Sequence, residues 1–501
     1  MTAQVKRLWR SLGTPLWIAG VAVLLRVATG VGFANYDTLY ALAWGGQLSR
    51  GQTPAYGVPI ASTPHPLLES IGVLLSPLGP RGAEDVTVAL GFLALAACGW
   101  VIYRLAADWF GWPAGALAGL ILLTRVPVLS YGVRAYVDIP YILLILCALL
   151  VESRRRRAGA PVLALLALAG LLRPEAWAFS GIYWLYLIDW LPRGLRARMG
   201  ALHSHEDSKN APAKGAPRSP GQMALLTLLA AAAPLIWVLS DLAITGNALW
   251  SLTNTRNTAA TLDRVRGIAN VPEYIPRRIG EILRPPVLLG AALGGVLGLL
   301  WLRARSLLGA IAGVLAVGVF AFFAAFGLPL DTRYAFLAAS ILCIFAGAGV
   351  FGWMTLAPGD QRRRWWMLGG AIVLVALVAY APSQYDSAHR ELDKLAREQS
   401  IEGDLLALVE DHSITLRCGP IGVPNHAPVP LLALYLKTSP KNIVSAQVRP
   451  ISKGTYLDPA SEEVEEDYVL DPHDPHLPVA VPPGFIETHA NRSWRVFQRC
   501  S

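Results

Sequence analysis

Two aspartates stand where a membrane chain can least afford them. Asp37 sits between Tyr36 and Tyr40, Asp138 sits between Tyr136 and Tyr141, and each lies at the end of a long apolar run. A carboxylate at the hydrocarbon edge is costly unless it is paired or used. Transfer of a group to a hydroxyl needs one carboxylate to take the proton. A second can orient the acceptor, or help to hold a divalent cation through oxygen ligands. Simpler roles stand beside these. Asp37 precedes the helix-like Thr38–Ser49 and suits an N-cap. Asp138 follows Arg134 by four residues and suits an ion pair with it.

Arginines gather at the same level of the chain. Arg134, Arg173 (with Glu175), Arg256, Arg264, Arg266, Arg277, Arg278, Arg284 and Arg333 (between Asp331 and Tyr334) all fall between apolar runs. Guanidinium forks grip phosphate oxygens in pairs, so phosphate recognition is one use. Pairing with acidic residues or with lipid headgroups is the other. His65, in Thr63-Pro64-His65-Pro66, reads as a substrate or metal ligand, or as a hydrogen-bonding loop residue.

The elements that position these groups are helices in lipid. Of 501 residues, 54% are hydrophobic and 15% charged, where a soluble chain would carry about 25% charged. Runs long enough to cross a bilayer, ~20 residues each, occur near 15–33, 83–107, 112–130, 137–152, 158–172, 175–191, 221–243, 286–302, 306–327, 334–356 and 366–382. The expected architecture is a polytopic α-helical membrane protein of about eleven spans over residues 1–382, followed by a soluble α/β domain over 383–501. The run 66–79 is short and proline-bounded, which suits a helix lying at the interface. Arg154–Arg157, the basic loop after the sixth span, Arg303 with Arg305, and Arg362–Arg364 all share one side if the N-terminus is inside. The aspartates and the C-terminal domain then face the outside of the cytoplasmic membrane. These loops account for most of the formal charge of +9, which excludes nucleic acid as a partner.

The loop 199–220, with His203 and His205, lacks any apolar period and reads as disordered. In the tail, 386–410 and Pro430–Lys437 read as helices, and Ser413–Arg417, Asn442–Val448 and Trp494–Gln498 as strands. Glu462–Asp467 reads as a solvated turn. Cys98, Cys147 and Cys343 fall in apolar spans, whereas Cys418 and Cys500 both lie in the tail, where pairing is permitted but left open by the sequence.

The ordered motifs carry a resemblance. The stretch NYDTLYALAWGGQLSRGQTPAY followed by TPHPLLES resembles the first outer loop of the GT-C superfamily of membrane glycosyltransferases, which includes protein O-mannosyltransferases and aminoarabinose transferases. SYGVRAYVDIPYILL resembles its second acidic loop, LLRPEAWAF a later inter-span segment, TGNALWS a loop after the seventh span, and LDTRYAFLAAS its late Arg-Tyr element. Aminoarabinose transferases carry a lysine where this chain has His65. The resemblance implies inverting transfer from a polyprenyl-phosphate sugar to an envelope glycan, lipid or protein on the outer face. Asp37 would be the base and Asp138 an assistant to the acceptor or a metal. Arg256 and Arg333 would contact the donor phosphate, and Tyr36, His65, Arg134, Arg173, Glu175 and Tyr334 would complete the substrate site. The tail resembles the extracytoplasmic caps of some envelope-building members. A flippase or transporter for lipid-linked sugars is the rival reading, and it would call for midplane charges and paired broken helices.

Overall fold

The computed structural model of this protein describes residues 3–188, 219–469 and 480–500. The basic inner loop expected after the sixth span, with His203 and His205, lies outside them except for its last two residues. Sixteen helices and five strands are enough to follow the site. The helices are α1 (Ala3–Thr29), α2 (Tyr36–Ser49), α3 (Pro66–Leu75), α4 (Gly79–Phe110), α5 (Trp112–Leu123), α6 (Val126–Val133), α7 (Asp138–Arg154) and α8 (Ala160–Leu172). Then come α9 (Glu175–Leu187), α10 (Pro220–Thr245), α11 (Trp250–Thr261), α12 (Val271–Trp301), α13 (Arg303–Ala325), α14 (Phe336–Phe351), α15 (Gln361–Glu410) and α16 (Val429–Tyr435).

Six segments are long and apolar enough to cross a membrane: Pro66–Phe110, Pro220–Thr245, Ile268–Trp301, Arg303–Ala325, Thr332–Thr355 and Gln361–Glu410. A seventh arises if α5 and α6, bent by 64° at their junction, count as one span. Gly13–Thr29 and Ala160–Leu172 are shorter apolar helices. The run 66–79 does not end where its sequence suggests; α3 leads through one 3-10 turn, Ser76–Leu78, into α4.

Broken helices leave carbonyls without partners, and lipid offers none. Arg125, at the α5–α6 break, answers this. It donates from Nε to Ile121 O at 3.1 Å and from Nη1 to Leu283 O at 3.2 Å. Leu283 precedes the kink in α12, where Arg284 takes φ 64° ahead of Pro285 and Pro286. One buried guanidinium thus closes two helix breaks.

The tail is a five-stranded sheet of order β2-β1-β3-β5-β4, built from β1 (Ile421–Val423), β2 (Ile443–Ser445), β3 (Gly454–Pro459), β4 (Ile486–Ala490) and β5 (Trp494–Arg499). β1 pairs in parallel with β2 and β3, and β5 runs antiparallel to β3 and β4. Three corrections to the sequence reading follow. The strand expected at Ser413–Arg417 forms at 421–423 instead, because the chain turns at His412 (φ 64°) and again at Gly419 (φ 133°) first. β3 and β4 were not legible as strands. Glu462–Val469 is helical, with Val464 and Val469 buried.

The last apolar segment and the first tail helix are one helix of 50 residues, α15. The tail shares a core with the first loop: Tyr40 and Trp44 of α2 pack in one cluster with Leu405, Leu432 and Trp494. α2 in turn lies backbone to backbone on α3. A Cβ placed on Gly45 would come within 2.6 Å of Gly72 C, so only glycine permits this approach. Cys418 and Cys500 form a disulfide that ties the C-terminus to the start of the sheet.

Candidate active site

Asp37 owes its position to Asn35. Extended backbone at Asn35 (φ −72°, ψ 171°) turns its Oδ1 to accept from Asp37 N at 2.8 Å and Thr38 N at 3.3 Å, so Asn35 is the N-cap and Asp37 is in the first turn. Asp37 is therefore free of the capping duty its sequence position suggests. Asn35 also donates from N and Nδ2 to Arg134 O, at 2.9 and 3.0 Å, and Thr38 Oγ1 donates to Ala135 O at 2.8 Å. The first and second loops are thereby one unit. Two non-glycine residues in it take left-handed backbone, Ile60 (φ 60°) and Ala135 (φ 52°), a conformation costing on the order of 1–3 kcal/mol each. Their carbonyls are the ones that accept from Tyr36 Oη and Thr38 Oγ1.

Both oxygens of Asp37 are engaged. Ser62 Oγ donates to Oδ1 at 2.8 Å, and Arg333 Nη1 donates to Oδ2 at 2.9 Å. Burial by itself would raise the Asp37 carboxyl, but the charge of Arg333 and the hydrogen bonds from Ser62 and Arg333 hold it below the usual carboxylate range. Arg333 also reaches Asp331 at 3.8 Å, and Arg264 pairs with Asp331 at 3.2 Å. A second cation stands alongside. Arg173 is clamped by Asp138 and by Glu175, the latter at 2.8 Å. Tyr334 lies between the two guanidiniums, 4.6 Å from Arg173 and 5.6 Å from Arg333.

All of these groups except Asp138 face a cavity of about 470 Å³. One end is polar, with Asp37, His65, Arg173 and Arg333. The rest is apolar, with Trp237 on α10, Leu252 on α11, Phe322 on α13 and Phe326 just after it. Phe322 and Phe326 keep about half their surface exposed. The cavity can therefore take an amphiphile whose anionic head meets the arginines while its chain leaves between apolar helices.

Of the residues singled out from sequence, Tyr36, Asp37, His65, Arg173, Glu175, Arg333 and Tyr334 line this cavity. Asp138 lies behind Arg173, and Arg134 donates to Ser130 O at 3.3 Å with its guanidinium over Tyr131 and Tyr136. The Asp138–Arg134 pair does not form. Left-handed Ala135 breaks the helix between them, so four residues do not bring the two side chains to one face. Arg256 stands outside the lining, against Gly327. Ser62, Arg264, Asp331 and His426 line the cavity without having been marked as site residues. For Arg264 and Asp331 the signal was present as outer charges. For His426, contributed by the tail, there was none. Among the described residues no group of three or more His, Cys, Asp or Glu is placed to hold a metal ion.

No protein-family model matches the sequence, and no curated protein matches it. Solved structures do. ArnT from Cupriavidus metallidurans bound to undecaprenyl phosphate matches with a TM-score of 0.54 at 15% identity, covering 97% of this chain and 98% of that one. The same protein in its apo state gives 0.48 at 16% identity, with the same coverage. The archaeal oligosaccharyltransferase AglB from Archaeoglobus fulgidus, in complex with an inhibitory peptide and a dolichol-phosphate, gives 0.44 at 12% identity, covering 87% of this chain and 65% of that one. The first match runs nearly the whole length of both chains. This protein is a multi-pass membrane protein with the GT-C fold.

Proposed function

We propose that this protein is a membrane glycosyltransferase that moves a sugar from a polyprenyl-phosphate donor to an acceptor on the outer face of the cytoplasmic membrane. The observation that carries the reading is the amphipathic cavity, in which Arg173 and Arg333 stand beside Asp37 at one end and apolar helices line the other. Undecaprenyl phosphate, bound in the ArnT structure, is an amphiphile of this shape. The acceptor is an envelope glycan, a lipid or a protein.

The chemistry follows from the competition for Arg333. Arg333 is held by Asp37. A donor phosphate draws the guanidinium toward itself, which frees Asp37 Oδ2 and restores some of its basicity. The acceptor hydroxyl then attacks the anomeric carbon opposite the phosphate. The new C–O bond forms, the C–O bond to phosphate breaks, Asp37 takes the hydroxyl proton and the polyprenyl phosphate leaves with the bonding pair. The anomeric configuration inverts. Arg173, fixed by Asp138 and Glu175, stabilises charge growing on the leaving phosphate. Asp138 thus acts through Arg173. Tyr36 and Tyr334 shape the sugar subsite, and Arg134 holds the loop that carries Asp138. Arg256, outside the cavity lining, takes no part in this step.

The shorter apolar helices, among them α7, α8 and α9, complete about eleven spans over residues 1–382, with residues 383–501 forming an extracytoplasmic domain. The Cys418–Cys500 disulfide supports that placement, since such bonds persist in oxidising compartments. The test is label transfer from a panel of radiolabelled polyprenyl-phosphate sugars to an envelope extract by purified protein. Asp37→Asn should abolish transfer while donor binding persists. Equal donor binding by both proteins with no transfer by either would favour a flippase instead.

A further inference from the structure

His65 lies on the polar wall of the cavity, 7% exposed, and its ring is fixed from several sides. Nδ1 lies 2.7 Å from Leu172 O. A carbonyl oxygen only accepts, so Nδ1 carries the hydrogen of that bond, and in the neutral ring Nε2 carries the lone pair. Trp237 meets the ring edge to face at 6.2 Å, and the backbone N–H of His65 donates to Glu69 at 3.1 Å. Nε2 has no protein partner among the described residues, and it is not among the buried polar atoms sealed off without one. It is the atom this ring offers to the cavity.

The ring stays neutral in the physiological range. Burial draws its pKa down to about 4, and the charges of Arg173 and Arg333 add to this against the opposing pull of Asp37. A lone pair on Nε2 cannot hold a phosphate oxygen, because acceptor would face acceptor. What it can hold is a group that brings its own hydrogen.

We infer that His65 reads the sugar and not the phosphate: Nε2 accepts a hydrogen bond from a hydroxyl of the donor's sugar ring. His65 is then a specificity-determining residue, and the sugar it selects carries a hydrogen-bond donor at that position. This rests on the proposal that the cavity takes a polyprenyl-phosphate sugar. The structural side of the residue and its binding side can be separated by two substitutions. In His65→Asn the amide nitrogen can overlay Nδ1 and keep the bond to Leu172, with nothing at Nε2. In His65→Gln an amide oxygen reaches the place of Nε2.

The experiment compares affinities of the purified full-length protein for undecaprenyl phosphate alone and for undecaprenyl-phosphate sugars from the panel. Wild type should bind its sugar-bearing donor more tightly than the bare lipid phosphate. His65→Asn should lose about tenfold of that sugar-bearing affinity, the worth of one neutral hydrogen bond, and keep its affinity for undecaprenyl phosphate. His65→Gln should recover most of the loss; if the Asn protein does not fold, donors that each lack one ring hydroxyl decide the matter, since one of them should lose about tenfold on wild type. An equal loss for the bare lipid phosphate in both variants would make His65 a phosphate ligand and overturn the inference. Unchanged donor affinity and sugar preference in both variants would overturn it too, leaving a loop residue. If wild type transfers no sugar and gains nothing from the sugar on binding, the donor reading itself has failed. Wild-type transfer that vanishes in Asp37→Asn keeps that reading whatever His65 does.

Discussion

Removing Arg333 should move the pH profile in a direction that the site geometry dictates. Arg333 Nη1 is 2.9 Å from Asp37 Oδ2, and both side chains are more than four-fifths buried. Its charge is the largest influence holding the Asp37 carboxyl below its usual range, against the opposite pull of burial. An arginine at this distance typically lowers an aspartate pKa by about 1–3. In Arg333→Gln that support is gone, burial prevails, and the folded pKa rises above the ordinary value near ~3.9. In the proposed mechanism the base form of Asp37 is the active one, so the acid limb of kcat/KM should move to higher pH by about 1–3. The same shift appears as stability. In wild type the depressed pKa contributes stability that is present above the unfolded pKa and lost as pH falls through the folded one. In the variant the folded pKa exceeds the unfolded value, so ionisation of Asp37 opposes folding at neutral pH. The assay is label transfer between pH 4 and 8, run beside thermal melts over the same range with Asp37→Asn and the double variant as controls. Turnover will fall as well, because the phosphate loses a partner, and the melts report the carboxyl without turnover. An acid limb that stays in place, or a pH dependence of melting that Asp37→Asn does not remove, would refute the reasoning.

Other substitutions test the supports of the site. Asp138→Asn leaves buried Arg173 with Glu175 as its remaining carboxylate, and should cost about 3 kcal/mol on thermal unfolding together with weaker binding of undecaprenyl phosphate; loss of turnover with donor affinity intact would instead point to contact with the acceptor. Gly45→Ala drives a methyl into the backbone of α3. It should lower the melting temperature by the equivalent of about 1–3 kcal/mol and reduce kcat, since α2 carries Asp37. Cys418→Ser opens a cross-link spanning 82 residues, which should destabilise the tail by up to about 4 kcal/mol in melts with and without reductant.

Local patterns carried the class of this protein and several of the residues that line its cavity. Apolar runs of bilayer length can be read without neighbours, because a helix in lipid satisfies its own backbone. Asp37, His65, Arg173 and Arg333 stood out because charge or polarity at the edge of such runs needs a reason. The strand at 494–499 and the helix at 429–435 were visible for the same kind of local reason. Helix continuity was not. The division placed at residue 382 falls inside the 50-residue α15, since one helical period passes from lipid-facing to tail-packing residues without a break.

Tertiary structure decided which of those residues meet. Arg333 reaches Asp37 across 296 positions, and Arg173 reaches Asp138 across 35 while Arg134, four away, does not. The nearer pairing fails because a left-handed residue, Ala135, turns the chain between its members. The capping role passed from Asp37 to Asn35 because the helix begins two residues earlier than the polarity suggests. The tail placed His426 in the cavity wall through a core shared with α2, and closed Cys418 onto Cys500. Sequence determines which side chains must find partners, because the cost of leaving a polar group bare in lipid is local; the choice of partner belongs to packing, which brings distant segments to one depth.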